Sequence, residues 1–232
     1  MVFFFDVRTP PGGDAWTVYM GRDKYENEGL IAHGLPVDVW LHVDDLSSAH
    51  VYLRPPRSAL PPITASSPAT SPAAVLDAIP ACVLEDCCQL VKANSIAGSK
   101  AAAVAICYTP WVNLRKRDGM DVGTIGFVSE KAVRVIKNVS KDAEAVKRIE
   151  KTRREAFPDL AAEKEAWEEE ERALRRAAAA KARAEDKAAA KAAIADKEAR
   201  SYDALLDPGT MQTAGDMKAK YESAAAYEDD FM

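Results

Sequence analysis

The chain has 232 residues, with 31 Lys and Arg against 36 Asp and Glu, and a formal net charge of −5. This length allows at most two ordinary domains. The acidity is confined to residues 201–232, because residues 1–139 and 140–200 are almost balanced in charge. The longest apolar run after the N-terminus, residues 101–108, is too short to cross a bilayer. The composition therefore excludes a transmembrane span, while a balanced segment can still carry local basic patches.

The N-terminus and the cysteines both favour a cytoplasmic protein. Residues 2–5 are apolar but are followed by Asp6, so the run is too short for the core of a signal peptide. None of the four cysteines belongs to a CxxC pair, and small buried thiols in a reducing compartment are the simplest interpretation. Since no Walker loop, Rossmann fingerprint or H-E-x-x-H motif occurs, we expect no metal, no cofactor and no enzymatic activity.

The apolar pattern of residues 1–139 predicts an α+β head. Strands are predicted at residues 2–7, 15–20, 37–43, 48–54 and 102–108, and a final hairpin at 124–128 and 132–136. Helices are predicted at residues 26–33, closed by a left-handed Gly34, and at 80–94, opened by Pro80. Most consecutive strands are joined too tightly for βαβ crossovers. The sheet is therefore predicted to be mostly antiparallel, with about two helices.

Three further segments are predicted to lie outside the sheet. Residues 55–74 hold six of the thirteen prolines and are interpreted as a disordered insertion in the head. Residues 140–200 are rich in Ala, Glu, Lys and Arg, which favour a long charged helix or coiled coil with a break near Pro158. Its apolar seam is thin, so a solitary helix and a homodimer through the helix are both open. Residues 201–232 are predicted to form a disordered acidic tail.

The densest polar cluster of the head comprises Asp38, His42, Ser47, Ser48 and His50. A Ser–His–Asp triad, a metal site, a hydrogen-bonded strand turn and a patch that contacts a ligand are all compatible with these residue types. The first two are disfavoured, because no G-x-S-x-G elbow precedes either serine and no third metal ligand stands out. The choice between a structural turn and a ligand contact stays open.

Loops that combine basic and aromatic residues suit nucleic acid, since cations contact phosphates and rings stack on bases. Residues 22–25 and 108–117 have this composition, and Lys92, Asn94 and Lys100 bracket a loop of similar polarity. A solvated loop explains each of them as well. The basic run at 172–191 is compatible with RNA or an anionic membrane, but a solvated helix with balanced faces also accounts for it.

Several longer runs occur together in this chain. They are Tyr19–Glu28, Asp38–Val43, Leu46–Arg54, Leu90–Ile96, Tyr108–Trp111, Met120–Gly123, Phe157–Glu165 and the ending Asp229–Met232. As a set they resemble the coiled-coil domain-containing protein 25 family, whose head is the NFACT-R module, also called DUF814. The same module occurs in larger factors that act on stalled large ribosomal subunits. The chain has no room for the other domains of those factors, so their peptide-tailing activity is not expected.

The resemblance implies a nucleic-acid-binding protein, with RNA or tRNA as ligand, association with the ribosome and a link to translation quality control. This subfamily has also been connected with DNA binding at the cell periphery. DNA binding with a membrane-associated location, and a protein scaffold without direct nucleic-acid contact, are therefore the alternatives. The loop chemistry and the resemblance together predict thirteen nucleic-acid-binding residues. They are Arg22, Lys24, Tyr25, His42, Ser48, His50, Lys92, Asn94, Lys100, Trp111, Arg115, Lys116 and Arg117.

Overall fold

The structure is a computed structural model that describes residues 1–9, 12–63 and 71–200, together with Gly215. The chain divides into two compact units, Met1–Ala179 and Ala180–Met232. The described residues of the second unit form the later part of a helix that ends at Ala199. Apart from Gly215, the predicted acidic tail at 201–232 lies outside the described residues.

Within the described residues the chain forms nine strands and five helices. The strands are β1 (Val2–Arg8), β2 (Ala15–Gly21), β3 (Val39–Val43), β4 (Val51–Arg54), β5 (Ala103–Pro110), β6 (Leu114–Arg115), β7 (Gly126–Phe127), β8 (Arg134–Ser140) and β9 (Arg154–Ala156). The helices are α1 (Lys24–His33), α2 (Pro72–Asp77), α3 (Ala81–Ala93), α4 (Ala143–Glu150) and α5 (Leu160–Ala199).

A seven-stranded sheet in the order β8-β5-β3-β4-β2-β1-β9 forms the centre of the first unit. Every pairing in it is antiparallel, from the β1–β2 hairpin to the outer β5–β8 and β1–β9 pairs. The predicted α+β class with a mostly antiparallel sheet is confirmed. The short strands β6 and β7 pair separately from this sheet.

The predicted hairpin of residues 124–128 and 132–136 is wrong. Strand β7 pairs with β6, and β8 pairs with β5 across the outer edge of the sheet. The reason is burial: Val139 lies opposite Val104 and is buried in the main core with it. Local alternation marked both segments as strands but carried no information on their partners.

The folded head extends beyond the predicted boundary at residue 139. Helix α4 buries Ala145 and Ile149, and β9 pairs with β1 so that Ala156 lies opposite Val2. Residues 140–200 are therefore not one helix with a break, but a short helix, a strand and then α5. Pro158 lies just before α5, in agreement with its bias against helix at the preceding residue.

The predicted disordered insertion at 55–74 is folded at both of its ends. Leu60 is buried in the main core, after a short 3₁₀ turn at Arg57–Ala59. Helix α2 begins at Pro72 and buries Val75 and Leu76. Residues 64–70 lie outside the described residues.

The two faces of the sheet are covered by different elements. Leu41, Val51 and Leu53 point to the first face, where Val83 and Leu90 of α3 complete the main core. The alternate positions point to the second face, as a period of two requires. There Tyr19, Trp40, Tyr52 and Cys107 pack with Leu30 of α1. The second face is the more polar and aromatic one, and it carries the candidate site described below.

The beginning of α5 is bound to the head. Leu160 packs against the second-face cluster, and Trp167 packs against the main core. Glu171 is buried and forms an ion pair with Arg57, while Glu163 lies 3.5 Å from Arg54. The first turns of this helix are therefore part of the head, whereas residues 180–200 are almost entirely exposed.

One buried ion pair joins three strands and α5. The Asp38 carboxylate is fully buried and accepts hydrogen bonds from Arg54 Nε (2.8 Å) and Nη2 (2.9 Å). It also accepts from the Tyr19 hydroxyl (2.6 Å) and the Leu35 amide (2.8 Å). Burial alone would lower the pKa of Arg54, but the two bonds to Asp38 outweigh burial and raise this pKa. The pair fixes how β2, β3 and β4 meet at this end of the sheet.

The glycine that follows α1 is required by packing. Gly34 has φ −60°, so the predicted left-handed terminator is wrong. A Cβ on Gly34 would overlap the Trp111 indole ring. The same indole donates from Nε1 to the Ile31 carbonyl at 3.1 Å. Gly34 therefore allows Trp111 to lie directly against the end of α1.

We expect Asp38→Asn to lower the free energy of unfolding by about 3 kcal/mol, because it removes the buried carboxylate that pairs with the Arg54 guanidinium and leaves only the exposed Glu163 beside it. Urea denaturation followed by circular dichroism measures this change. The matched control is Asp77→Asn, which breaks an exposed ion pair to Arg134 and should cost less than about 1 kcal/mol. Equal losses in the two variants would contradict a central role for the Asp38 pair.

We expect Gly34→Ala to destabilise the head by about 1–3 kcal/mol, because the new methyl group must displace the packed Trp111 ring. Gly29→Ala is the matched control within α1. Its Cβ would meet only Leu160 Cδ1 at 3.5 Å, which is an ordinary contact. The control should be neutral or stabilising by up to about 1 kcal/mol, since alanine favours helix. Urea midpoints and tryptophan emission report both changes, and an unchanged Gly34→Ala protein would refute the packing argument.

Candidate nucleic-acid interface

A cleft of about 640 Å³ opens on the second face of the sheet. Its walls are the beginning of α1, the turn between β3 and β4, and the end of the loop between β6 and β7. The residues that line it are Gly21, Arg22, Asp23, Lys24, Asn27, Trp40, His42, Val43, Asp44, Asp45, Leu46, Ser47, Ser48, Ala49, His50, Cys107, Val122, Gly123, Thr124, Ile125 and Phe127. Five of the thirteen predicted site residues, Arg22, Lys24, His42, Ser48 and His50, are among them.

Three aromatic rings form one side of the cleft. The Trp40 and His42 rings are stacked, with centroids 5.4 Å apart and planes 3° apart, because they are alternate residues of β3. The His50 ring meets both at a steep angle, with centroids 5.3 Å and 5.1 Å away. Trp40 Nε1 donates to His50 Nδ1 at 2.9 Å. Since an indole N–H can only donate, the His50 proton lies on Nε2.

Both histidines of the cleft are uncharged at neutral pH. Burial, and then the neighbouring His42, lower the pKa of His50 to about 4. Burial also lowers the pKa of His42, partly offset by hydrogen bonds with the Val43 and Ser48 backbones. His42 Nδ1 lies 2.6 Å from the Val43 carbonyl, which can only accept, so Nδ1 carries the proton. The aromatic side of the cleft is therefore neutral.

The opposite side of the cleft is basic and exposed. Arg22 and Lys24 flank Asp23, whose carboxylate caps α1 by accepting from the Tyr25 and Glu26 amides. The Tyr25 ring is 68% exposed, and Lys24 Nζ lies 5.4 Å from its centroid. Within the described residues neither Arg22 nor Lys24 forms a salt bridge. Two cations and an open aromatic ring are therefore available to a ligand.

The third wall is a loop that Lys116 fastens to α1. Lys116 Nζ donates to Glu28 Oε1 (2.9 Å), to the Asp121 carbonyl (2.8 Å) and to the Thr124 carbonyl (2.9 Å). Gly123 donates its amide to the same Glu28 oxygen at 2.8 Å. It has φ +87°, and a Cβ there would press on Lys24 Cβ. Burial raises the pKa of Glu28, but the bonds from Gly123 and Lys116 outweigh it and lower this pKa.

Lys116 and Trp111, two of the predicted ligand contacts, are both engaged in contacts within the head. All three donors of the Lys116 ammonium are used by the loop and by Glu28. The Trp111 indole is hydrogen-bonded to α1, and Lys164 Nζ of α5 lies 5.0 Å from the ring centroid. Arg115 and Arg117, at the beginning of the loop, are exposed.

Lys92, Asn94 and Lys100 lie apart from the cleft. They belong to α3 and the loop that follows it, on the first-face side of the sheet. Lys92 is buried and donates to the Ala101 carbonyl, while Asn94 Nδ2 donates to the Leu90 carbonyl. Lys100 is exposed. The thirteen predicted residues therefore do not form one surface.

The polar cluster at β3 and β4 does not form a Ser–His–Asp arrangement. Asp38 points to Arg54 and Tyr19, and not to either histidine. Ser48 Oγ accepts from the Val43 amide at 3.0 Å and donates to the Ala49 carbonyl at 3.1 Å. Ser48 thus shapes the turn, and it also lines the cleft together with His42 and His50.

Asn27 is a cleft residue that the sequence analysis did not identify. It is buried, and its Oδ1 accepts from the Tyr52 hydroxyl at 2.7 Å. Its Nδ2 has no hydrogen-bond partner among the described residues. An asparagine inside a run of charged residues gives no local sign of burial, because its partner lies 25 residues away in the chain.

In the described part of the chain, no three His, Cys, Asp or Glu side chains are grouped so that they could hold a metal ion. None of the helices in that part combines the length and apolar character that a bilayer crossing needs.

Known proteins share this head and, in part, the chain beyond it. The family described as "NFACT protein RNA binding domain" matches residues 1–129. Coiled-coil domain-containing protein 25 of Danio rerio is 50% identical over 174 residues, 74% of this chain and 75% of that protein. The Bos taurus protein of the same name is 43% identical over 216 residues, 93% and 96% of the two chains.

A more distant relative is Protein JLP2 of Saccharomyces cerevisiae. It is 35% identical over 164 residues, which cover 70% of this chain and 72% of that protein. The chain belongs to the coiled-coil domain-containing protein 25 family and carries the NFACT RNA-binding domain as its head.

Proposed function

We propose that this protein binds RNA in the cleft and on its basic side, as a binding module and not as an enzyme. The observation that carries the proposal is the exposed Tyr25 ring beside Arg22 and Lys24, two cations that line a cleft with a neutral aromatic side. The description of the matched domain as RNA-binding supports the same ligand class.

The charges of the cleft give the ligand an orientation. Asp44 and Asp45 lie on the β3–β4 turn and repel phosphate, whereas Arg22 and Lys24 attract it. The phosphodiester backbone is therefore placed along the beginning of α1. A base stacks on Tyr25, because every base has a face that an aromatic ring can cover. Arg115, at the end of β6, and Arg117, in the loop that follows, are exposed cations that can contact further phosphates.

The aromatic side of the cleft accommodates a second base. Trp40 is only 2% exposed and lies behind the half-buried His42 and His50 rings, neither of which is charged at neutral pH. A neutral planar surface favours stacking, while ionic contacts are left to the basic side. The proposal extends to ribosomal RNA or tRNA as the cellular ligand, to a cytoplasmic role in translation quality control, and to RNA in preference to DNA.

We expect Tyr25→Ala to weaken the binding of single-stranded RNA by about 1–3 kcal/mol through loss of stacking. Lys24→Ala should lower the slope of log affinity against log salt by about 0.7, the value of one phosphate contact on a single strand. Fluorescence anisotropy of the full chain with labelled single-stranded RNA, tRNA and duplex DNA, at several salt concentrations, measures both effects.

Lys137→Ala is the matched control for these variants, because Lys137 is an exposed lysine on the edge strand β8. It should leave affinity and salt slope unchanged. Binding of the wild-type chain that is insensitive to salt, or equal losses for Lys24→Ala and Lys137→Ala, would refute the proposed interface. Tighter binding of duplex DNA than of either RNA would replace RNA with DNA as the ligand. No binding of any nucleic acid would favour a protein-interaction role.

The affinity for RNA should be constant between about pH 8 and about pH 7, because the pKa of His50 is lowered to about 4 and that of His42 is also lowered from its ordinary value. Arginine and lysine keep their charge over this range. Anisotropy titrations at constant ionic strength check this expectation. An affinity that rises steadily as the pH falls through this range would show that an imidazolium contacts phosphate, which contradicts stacking on neutral rings.

A further inference from the structure

A second pocket, of about 300 Å³, lies between α3 and α4 on the first-face side of the head. The residues that line it are Gln89, Lys92, Ala93, Ser99, Lys141, Ala143, Val146 and Lys147. Three of these residues are lysines and none is acidic. This pocket shares no lining residue with the cleft on the second face.

Lys92 is the least expected member of the pocket, because its side chain is only 1% exposed. Its Nζ donates to the Ala101 carbonyl at 2.9 Å, the one acceptor it has in the part of the chain that the structure describes. An ammonium group has three donors, so two remain for a ligand. Burial, and then the neighbouring Lys141, lower the pKa of Lys92. Burying an ammonium group next to a second cation costs free energy unless an anion binds between them.

The backbone around the pocket is fixed by contacts that do not involve the lysine side chains. Gln89 of α3 donates from Nε2 to the Ser140 carbonyl (2.9 Å) and accepts at Oε1 from the Asp142 amide (2.8 Å). This bridge fixes the backbone on both sides of Lys141. An ion pair of 2.5 Å between Arg148 and Asp86 joins α4 to α3, next to Lys147. Asp142 itself caps α4 by accepting from two backbone amides.

We propose that the pocket between α3 and α4 binds a phosphate group, held by Lys92, Lys141 and Lys147 with Ser99 at its edge. Three ammonium groups match the charge and the several acceptor oxygens of phosphate. Lys92 supplies the buried contact, while Lys141 and Lys147 are exposed and can close on the ligand from solvent.

The position of the pocket points to a backbone phosphate of the RNA as the source, an assignment that rests on the proposed function. Ser95 Oγ donates to the Ser47 carbonyl at 2.6 Å, and the Asp44 amide donates to the Ala105 carbonyl at 2.9 Å. The β3–β4 turn, which lines the cleft, therefore touches the segment that follows Lys92. Cleft and pocket lie on opposite faces at the same end of the sheet, so a strand that leaves the cleft can continue around this end.

Titration of the ¹⁵N-labelled full chain with inorganic phosphate, against chloride at equal ionic strength, tests the site directly. We expect saturable shifts of the Ser99, Ala143 and Val146 amide signals. They should disappear in the double variant Lys141→Ala, Lys147→Ala and persist in the control Arg22→Ala, Lys24→Ala, which removes the same charge from the cleft. All four side chains are exposed, and unchanged thermal melting checks folding. Shifts that do not saturate, or that persist in the pocket variant, would overturn the phosphate site.

Anisotropy with single-stranded RNA then identifies the source of the phosphate. If it is the RNA backbone, the pocket variant lowers the salt slope by about 0.7 for each phosphate that its side chains no longer neutralise. A pocket variant that fails to bind inorganic phosphate but binds RNA with unchanged affinity and slope would overturn the RNA source and leave a site for a small phosphate compound. Saturable phosphate binding in a chain that binds no RNA would refute the proposed function while supporting the pocket.

Discussion

The buried contact between Asp38 and Arg54 is the interaction on which the rest of the head depends. Its donors come from β2, from the segment before β3 and from β4, three parts of the chain that must meet at one end of the sheet. The Tyr19 ring that donates to Asp38 also stacks on Tyr52 at 5.0 Å. Tyr52 in turn donates to Asn27 of α1. Two hydrogen bonds and a ring contact therefore connect this ion pair to α1, which begins at Lys24 and Tyr25 and directly follows Arg22 and Asp23.

Some arginines and lysines of the head hold its parts together, and others are available to a ligand. The two groups differ in whether a carboxylate pairs with the cation, and not in residue type. Arg54, Arg57 and Lys116 are each held by a carboxylate, and they position a strand end, α5 and a loop. Arg22 and Lys24 have no such partner within the described residues. A cation already bound to a carboxylate has little charge left to offer a phosphate, so only the second group suits a ligand.

The two candidate ligand sites use the two faces of one sheet. The cleft has neutral aromatic rings on one side and cations on the other, which suits bases and backbone together. The pocket between α3 and α4 has lysines without aromatic rings, which suits phosphate alone. Because the β3–β4 turn separates them at one end of the sheet, one extended strand can reach both. The two proposals together therefore place base stacking on one face of the sheet and a phosphate contact on the other.

The sequence by itself determined the properties that depend on neighbouring residues. The alternation in β3 placed Trp40 and His42 together on one face, and residues 22–25 showed a mixture of basic and aromatic side chains that suits nucleic acid and equally suits a solvated loop. Only the tertiary structure decided which strands pair, that Asp38 belongs to Arg54 and not to the histidines, and that Lys116 and Trp111 are used structurally. It also placed Lys92 on the other face from the cleft. The physical reason is that hydrogen-bond partners and burial are set by contacts between residues far apart in the chain, which local periodicity does not encode.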